Sequence, residues 1–274
     1  MLRVFVDSGS SIKQEEREKY NVDIIPLLIN LKDKTYQDGI DLELNSFYDQ
    51  LINHNVFPKT SLPILPELEE RVLKYTDNGD DVIIITISSK ISGTYNAIRL
   101  LFEDNDKVTV IDSLTAVGGI RLLVDEINRY RNESKDFIIK KVNELIPRIK
   151  VVAVPETLHY LFKGGRLSKA TAVIGNILNI KPLIGFINGE VSVIKKTIGL
   201  NKAKNAIISY LESSECDYNH QIIPSYTYKD NNLLDLINKL PDNRKKQLKV
   251  MDNLDPAIAC HWGPNAFGFI FVGK

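Results

Sequence analysis

The sequence predicts an α/β protein whose first half forms a doubly wound parallel sheet and whose second half forms an α+β layer. Residues 82–87 are a nearly unbroken run of apolar, β-branched side chains, typical of a strand buried on both faces of a parallel sheet. Strand, polar turn and helix patterns then alternate through the first half. The length of 274 residues suits one large or two medium domains.

Composition narrows the class of protein. The 35 basic residues balance the 35 acidic residues, which argues against a broad nucleic-acid-binding surface. Cys216 and Cys260 are far apart and lack CxxC spacing, so neither a disulfide framework nor a zinc site is indicated, and a reducing cytoplasmic setting fits best. The N-terminus leads directly into a strand pattern without a signal-peptide core, and no apolar run approaches the length of a membrane span.

The first half reads as follows, in chain order. We expect a strand at 4–7 that ends in D-S-G-S-S, with Ser10 or Ser11 capping a helix that continues to about Tyr20. A strand interrupted by Pro26 follows. That strand spans 22–31, and the remaining expected elements are a helix at 43–53, a hydroxyl-bearing turn at 60–61, a helix at 65–77, the central strand with a helix opening near Ser92, a strand at 108–111, a helix at 114–131 and a helix from Ser134 to about 149.

We expect the domains to divide at 155/156, into residues 1–155 and 156–274, just after a strand at 151–154. A hairpin at 180–194 should turn at Asn188-Gly189, since Asn-Gly favours two-residue turns. The other expected elements of this half are helices at 158–162, up to 178, 201–213 and 231–240, and strands at 221–226, 248–252, 257–260 and 267–272.

Four turns of the first half carry small hydroxyl side chains. They are Asp7-Ser8, Thr60-Ser61, Ser88 to Thr94 and Asp112-Ser113. If their strands are neighbours, the turns converge on the carboxyl edge of the sheet, where α/β folds bind ligands and helix N-termini favour anions. Four unrelated helix caps would give the same pattern. A nucleotide P-loop and a G-x-S-x-G elbow are both absent from the sequence, and the hydroxyls suit a carboxylate better than a polyphosphate.

Two basic motifs mark the second half. Lys163-Gly164-Gly165-Arg166 is either an anion contact or a flexible basic loop, and His261 opens a tight H-W-G-P-N-A-F-G turn after the expected strand at 257–260. No histidine has a companion at ligand spacing, so no metal is expected. Ser92, His261 and Asp7 or Asp112 supply the residue types of a hydrolase triad, which remains the alternative.

Seven motifs in order along nearly the whole chain are more specific than any single one. They are D-S-G-S-S at 7–11, T-S-L-P at 60–63, S-S-K-I-S-G-T-Y-N-A at 88–97, V-I-D-S at 110–113, L-H-Y-L-F-K-G-G-R-L-S at 158–168, L-N-I-K-P-L-I at 178–184 and H-W-G-P-N-A-F-G at 261–268. In this combination the sequence resembles the DegV family of fatty-acid-binding proteins, which includes the FakB subunits of bacterial fatty acid kinase.

The resemblance implies an N-terminal three-layer α/β/α domain with a parallel sheet, a C-terminal two-layer α/β domain with a mixed sheet, and a long-chain fatty acid held between them. Thr60, Ser92 and the Gly93 amide match the residues that bind the acyl carboxylate. Ser61, Arg166 and His261 lie near the head group by the same match, while Asp7, Ser8 and Asp112 match structural or adjacent positions.

The chain departs from the family pattern at two of these motifs. T-S-L-P-I replaces the usual T-S-Q-P-S, and Gly263-Pro264-Asn265-Ala266 replaces G-P-G-A, although Asn265 still tolerates a left-handed backbone. The segment at 195–200 is less basic than is usual, which weakens an inference about kinase docking more than one about lipid binding.

The resemblance implies a carrier without its own turnover, which binds a fatty acid and presents it to a separate ATP-dependent kinase for acyl-phosphate formation. Arg166 and His261 would supply positive charge for the incoming phosphoryl group. No cofactor, metal or nucleotide is expected on this chain, and the alternative is a serine hydrolase or acyltransferase that uses Ser92 and His261. The apolar residues expected along the acyl tail are Ile174, Ile177, Leu178, Ile180, Leu183 and Ile184.

Overall fold

The computed structural model describes residues 1–167 and 180–274, and the chain forms two compact units. The N-terminal unit comprises Met1–Pro147 and Asp255–Ala257, and the C-terminal unit comprises Arg148–Leu254 and Ile258–Lys274.

The secondary structure of the described residues is as follows. The strands are β1 (Leu2–Asp7), β2 (Val22–Ile25), β3 (Leu28–Leu31), β4 (Lys34–Gln37), β5 (Lys59–Ser61), β6 (Asp81–Thr86), β7 (Val108–Asp112), β8 (Ile149–Val154), β9 (Leu183–Ile187), β10 (Glu190–Lys195), β11 (Ile223–Tyr226), β12 (Asp252–Asn253) and β13 (Phe267–Val272). The helices are Gln14–Tyr20, Leu44–Ile52, Leu65–Thr76, Thr94–Leu101, Gly118–Arg129, Lys135–Leu145, His159–Lys163, Leu200–Ser213, Asn231–Asn238, Asp242–Lys245 and Pro256–Trp262, with 3-10 turns at Ser8–Ser10 and Ile146–Arg148.

The N-terminal unit is built on a parallel sheet of four strands in the order β2-β1-β6-β7. The apolar run of β6 forms its centre, and every residue from Val82 to Ile85 is fully buried. Phe5 and Ile84 pack with Val72 and Ile98, from two helices that cover one face. Because residues on the opposite face, such as Ile83, are equally buried, both faces are covered, as an unbroken apolar strand predicts.

A second, antiparallel sheet in this unit has the order β4-β3-β5. The strand expected at 22–31 is in fact two strands in different sheets, because Pro26 interrupts the ladder between β2 and β3. The prediction of a turn at Thr60-Ser61 is also wrong. These residues form β5, in which Thr60 is the register partner of Ile29.

The C-terminal unit contains a mixed six-stranded sheet in the order β10-β9-β8-β13-β11-β12. Its main core joins sheet residues such as Val152 and Phe269 to Ile207 and Leu236, from the helices Leu200–Ser213 and Asn231–Asn238. The predicted hairpin turn is confirmed, with positive φ at Asn188 (50°) and Gly189 (82°). The mixed α/β class predicted from the sequence is confirmed as well.

The expected domain boundary and two expected elements differ from the structure. The division falls at 147/148 rather than 155/156, since β8 pairs along its whole length with β13 of the C-terminal unit. Residues 257–260 belong to the helix Pro256–Trp262 instead of a strand. Lys13, not Ser10 or Ser11, precedes the helix Gln14–Tyr20, because Ser8–Ser10 form a 3-10 turn of their own.

The helix expected up to residue 178 lies outside the described residues. Within the ranges 1–167 and 180–274, every helix is too short or too polar to cross a membrane.

Candidate functional site

Three of the four hydroxyl-bearing turns lie at one edge of the parallel sheet. β1, β6 and β7 are adjacent and parallel, and they end at Asp7, Thr86 and Asp112. The turns that follow these strands therefore meet at the carboxyl edge, as their sequence pattern predicts.

Asp7 and Asp112 hold these turns together. The two carboxylate oxygens of Asp7 accept hydrogen bonds from the amides of Gly9 (3.0 Å) and Ile87 (2.7 Å). Asp112 Oδ1 accepts from the amides of Ser89 (3.0 Å) and Leu114 (3.1 Å). Burial outweighs the two amide bonds to Asp7 and raises the pKa of its carboxyl to about 7. Both aspartates thus have a structural role in joining adjacent loops.

Most of the serine hydroxyls at this edge also accept hydrogen bonds from backbone amides. Ser8 Oγ accepts from the Leu27 amide (3.0 Å), Ser11 Oγ from the Asp255 amide (3.1 Å) and Ser88 Oγ from the Lys90 amide (3.2 Å). All three serines are buried. For these hydroxyls the capping interpretation is sufficient.

Ser92 and Gly93 differ because Ser92 is only partly buried and Gly93 is exposed. Ser92 Oγ lies 2.8 Å from Thr94 Oγ1 and accepts from the Thr94 amide at 3.2 Å. When the Thr94 hydroxyl donates in this pair, the proton of Ser92 is left to donate to a ligand. The sequence analysis includes Thr94 only as the end of the hydroxyl-bearing turn Ser88 to Thr94 and gives it no role of its own. Gly93 precedes the helix Thr94–Leu101, whose first amides favour an anion.

Thr60 belongs to the T-S-L-P segment, which lies beside this loop. It is the central, partly buried residue of β5, and the exposed Ser61 accepts from Asn30 Nδ2 at 2.8 Å. A Cβ placed on Gly93 would lie only 3.6 Å from Leu62 Cδ2. The side chain of Leu62 therefore lies beside Gly93, and the T-S-L-P segment adjoins the Ser92-Gly93 loop within the N-terminal unit.

The two basic motifs meet within the C-terminal unit. A Cβ on Gly164 would lie 2.5 Å from His261 Nδ1, so only glycine allows the imidazole to approach this closely. Arg166 Nη1 donates to the Gly164 carbonyl at 2.5 Å. Gly164, Arg166 and His261, which we call the basic cluster, are therefore neighbours despite their separation in the sequence.

The electrostatics of His261 contradict one expectation. Burial, followed by the nearby charge of Arg166, lowers the pKa of His261 to about 3. Although the side chain is partly exposed, its Nδ1 is shielded from solvent, which agrees with this shift. The prediction that both residues supply positive charge is wrong for His261, because its imidazole is neutral at pH 7. Burial also lowers the pKa of Arg166, but a guanidinium remains charged in proteins.

Thr227 holds the turn that follows His261, a role that the sequence analysis missed. Its hydroxyl donates to the Gly263 carbonyl (2.7 Å) and accepts from the Ala266 amide (2.9 Å). Gly263 and Asn265 have positive φ of 71° and 60°, as the tight H-W-G-P-N turn requires. An isolated Thr in a polar stretch carries no sequence signal for such a long-range contact.

A smaller apolar cluster adjoins the basic cluster in the sequence, since Trp262 follows His261 in the helix Pro256–Trp262 and Leu167 follows Arg166. Its members, which we call the small apolar cluster, are Leu158, Leu161, Phe162, Leu167, Ile180, Ile184, Val191, Val193 and Trp262. Two residues expected along the acyl tail, Ile180 and Ile184, belong to it, whereas Leu183 packs in the main core. Ile174, Ile177 and Leu178 lie outside the described residues.

Among the residues at 1–167 and 180–274, no group of three or more His, Cys, Asp or Glu side chains is arranged to hold a metal ion.

Comparisons with known proteins agree along the whole chain. A family model described as "Uncharacterised protein, DegV family" matches residues 1–274. A DegV domain-containing protein of Caldanaerobacter subterraneus is 32% identical, with 100% of this chain and 99% of the relative covered. A fatty acid binding DegV family protein of Streptococcus agalactiae has a similar structure, with a TM-score of 0.90, 28% identity and coverage of 100% and 99%. The structure of DegV from Bacillus subtilis, described as a fatty acid binding protein, gives a TM-score of 0.87, 26% identity and the same coverage.

Proposed function

The chain belongs to the DegV family, and on this premise we propose that it binds a long-chain fatty acid and presents the carboxylate to a separate ATP-dependent kinase. The observation that carries the proposal is the position of the Leu62 side chain, 3.6 Å from where a Cβ on Gly93 would lie, because it puts the Thr60 segment beside the Ser92-Gly93 loop. Solved family members of similar fold are described as fatty acid binding proteins.

We assign the carboxylate of the fatty acid to Thr60, Ser92 and the Gly93 amide. Burying a carboxylate is costly unless several donors meet it, and two hydroxyls and an amide at a helix start provide about three. The Thr94 hydroxyl supports this assignment, since it lies 2.8 Å from Ser92 Oγ and can fix its orientation. Ser61 is assigned a place beside the head group, since it follows Thr60 in β5 and its hydroxyl accepts from Asn30.

The acyl tail is assigned to partly buried members of the small apolar cluster, such as Phe162, Ile180 and Trp262. Each methylene removed from water contributes about 0.8 kcal/mol, so a chain of about 16 carbons gains roughly 10 kcal/mol before ordering costs. The tail therefore sets most of the affinity, and the carboxylate sets the orientation.

Transfer of a phosphoryl group requires stabilisation of negative charge, in addition to binding of the fatty acid. Arg166 is proposed to supply positive charge for the incoming phosphoryl group, while the neutral His261 contributes hydrogen bonding and packing. Nucleotide and magnesium belong to the kinase, because this sequence has no phosphate-binding loop. We place the protein in the cytoplasm, where its two buried cysteines, Cys216 and Cys260, would stay reduced.

The hydrolase alternative is less well supported. A histidine whose pKa is about 3 is a weak general base at neutral pH, so His261 is a poor candidate to activate Ser92.

A coupled transfer assay tests the proposal. The lipid-loaded protein is mixed with a bacterial fatty acid kinase and ATP, and acyl phosphate is trapped with hydroxylamine. Arg166→Gln should retain lipid and lower transfer by about 100-fold, as expected for loss of one charge-stabilising group. Lys163→Gln, which removes an exposed positive charge from the same loop, is the matched control and should transfer normally.

Two outcomes would overturn the assignments. Acyl phosphate formed from this chain and ATP without the kinase would make the chain itself the enzyme. Loss of lipid from Arg166→Gln, with normal transfer by the remaining complex, would make Arg166 a binding residue instead.

A further inference from the structure

Residues Asp255–Ala257 belong to the N-terminal unit, although the chain on both sides of them belongs to the C-terminal unit. Three contacts to the N-terminal end of the chain hold this short segment. The Asp255 amide donates to Ser11 Oγ (3.1 Å), Lys13 Nζ donates to Asp255 Oδ1 (2.6 Å), and the Ala257 amide donates to Asp38 Oδ1 (3.2 Å). Each contact joins residues that are more than 200 positions apart, so none follows from local folding.

Asp38 is the unusual member of this group. It is fully buried, and its carboxyl accepts one of the first amides of the helix Pro256–Trp262. The charged groups that face it are Asp255, which is negative, and Lys13, which is positive. Lys13 pairs with Asp255, so the two charges largely offset each other, and burial is the main cause that favours a neutral Asp38.

The geometry points to a proton-operated latch in which neutral Asp38 fastens Asp255–Ala257 to the N-terminal unit and ionised Asp38 loosens it. Burial is the main cause that raises the pKa of Asp38 to about 8, and the charge of Asp255 adds to it, whereas the bonds from Ser8 and Ala257 lower it. Once the segment opens and water reaches the carboxyl, Asp38 regains its ordinary pKa of 3.8.

The sign of the pH effect follows from linkage. The fastened state binds the proton more tightly than the open state, so opening releases a proton between pH 3.8 and about 8. The equilibrium therefore favours the fastened state most strongly below pH 3.8. Between pH 3.8 and about pH 8 the equilibrium constant for opening rises by at most about tenfold per pH unit, and above about pH 8 it is constant. Because the helix Pro256–Trp262 carries His261 in its last turn, the latch also bears on head-group chemistry. This consequence alone rests on the proposed function.

Amide hydrogen exchange of the whole chain tests the latch without reference to lipid or kinase. Protection factors, corrected for the intrinsic pH dependence of exchange, are measured at Ala257 between pH 5 and pH 9. We expect protection to fall as the pH rises to about 8 and then to become constant. Asp38→Asn keeps a carbonyl acceptor without the charge and should make protection at Ala257 independent of pH.

Two further variants keep the test decisive. Asp255→Asn removes the facing negative charge, so the plateau should begin at lower pH, and this variant serves if Asp38→Asn fails to fold. Asp7→Asn changes another buried carboxyl whose bonds are to Gly9 and Ile87, and it should leave the slope at Ala257 in place. A flat profile in the unmodified protein, a slope that persists in Asp38→Asn, or an unshifted plateau in Asp255→Asn would overturn the latch.

Discussion

At the scale of single residues, Ser92 is distinguished from the other serines at the sheet edge by its exposure. All four hydroxyls accept from a backbone amide, but Ser8, Ser11 and Ser88 are buried, whereas Ser92 is partly buried beside the exposed Gly93. The sequence shows equal hydroxyls at all of these positions. It could not separate them, because the partner of Ser11, for example, is an amide 244 residues away.

The first prediction concerns this hydroxyl and its neighbour in β5. Thr60→Val and Ser92→Ala should each weaken fatty-acid binding by about 1 to 3 kcal/mol, because the buried carboxylate loses a donor. Fluorescent fatty-acid titration measures the change. Thr35→Val is the matched control, since Thr35 lies in the same three-stranded sheet and its hydroxyl bonds to Asn30. Unchanged affinity in the double variant would remove both residues from the site.

The second prediction concerns the neutral state of His261. Its pKa falls from 6.5 to about 3 on folding, so its contribution to stability is fully present above pH 6.5 and is lost as the pH falls toward 3. Relative to His261→Gln, the unmodified protein should lose at most about 1.4 kcal/mol of unfolding free energy per pH unit below pH 6.5. Urea unfolding of both proteins at pH 7 and pH 5 gives the difference. An identical pH dependence would show that His261 titrates normally in the folded protein.

At the scale of elements, the turn after His261 depends on glycine in a way that can be measured. Gly263 has φ of 71°, and a Cβ there would lie 2.2 Å from Tyr160 Cδ2. Gly165 has a similar φ of 74°, but nothing lies within 4 Å of its Cβ position. The pair therefore separates backbone strain from steric overlap.

The third prediction uses this pair. Gly165→Ala should lower the free energy of unfolding by about 1 to 2 kcal/mol through strain alone. Gly263→Ala should cost more, about 3 kcal/mol, since Tyr160 must also move. Equal losses in chemical denaturation would mean that Tyr160 yields without cost and does not define the turn.

Local sequence patterns predicted some elements correctly and others wrongly. The burial of 82–85 and the Asn188-Gly189 turn follow from local signals that the structure confirms. The apolar run 257–260 predicts a strand but forms part of the helix Pro256–Trp262, and Pro256 at the first helical position is itself a helix start signal. β5 has only three residues and exists through pairing with β3, a non-local contact that no local pattern specifies.

At the scale of the whole molecule, the order of the motifs along the chain was more informative than the pattern of any single helix or strand. The motifs that span residues 7 to 268 indicate the family, and the alternation of strand and helix patterns indicates the α/β class. The motifs did not predict that Asp255–Ala257 belong to the N-terminal unit, because this segment is held by bonds to Ser11, Lys13 and Asp38 from the opposite end of the sequence. The same motifs carry the central claim that this chain is a fatty-acid carrier.

Native mass spectrometry of the protein purified from bacteria, without added lipid, tests that claim most directly. A carrier should show a mass increase of one fatty acid that disappears on denaturation, with the free acid recovered in the lipid extract. The double variant Thr60→Val/Ser92→Ala should carry less of it, and Thr35→Val should carry as much as the unmodified protein. A chain that is folded and empty in every preparation, or one in which an acyl group stays covalently attached after denaturation, would contradict the carrier account.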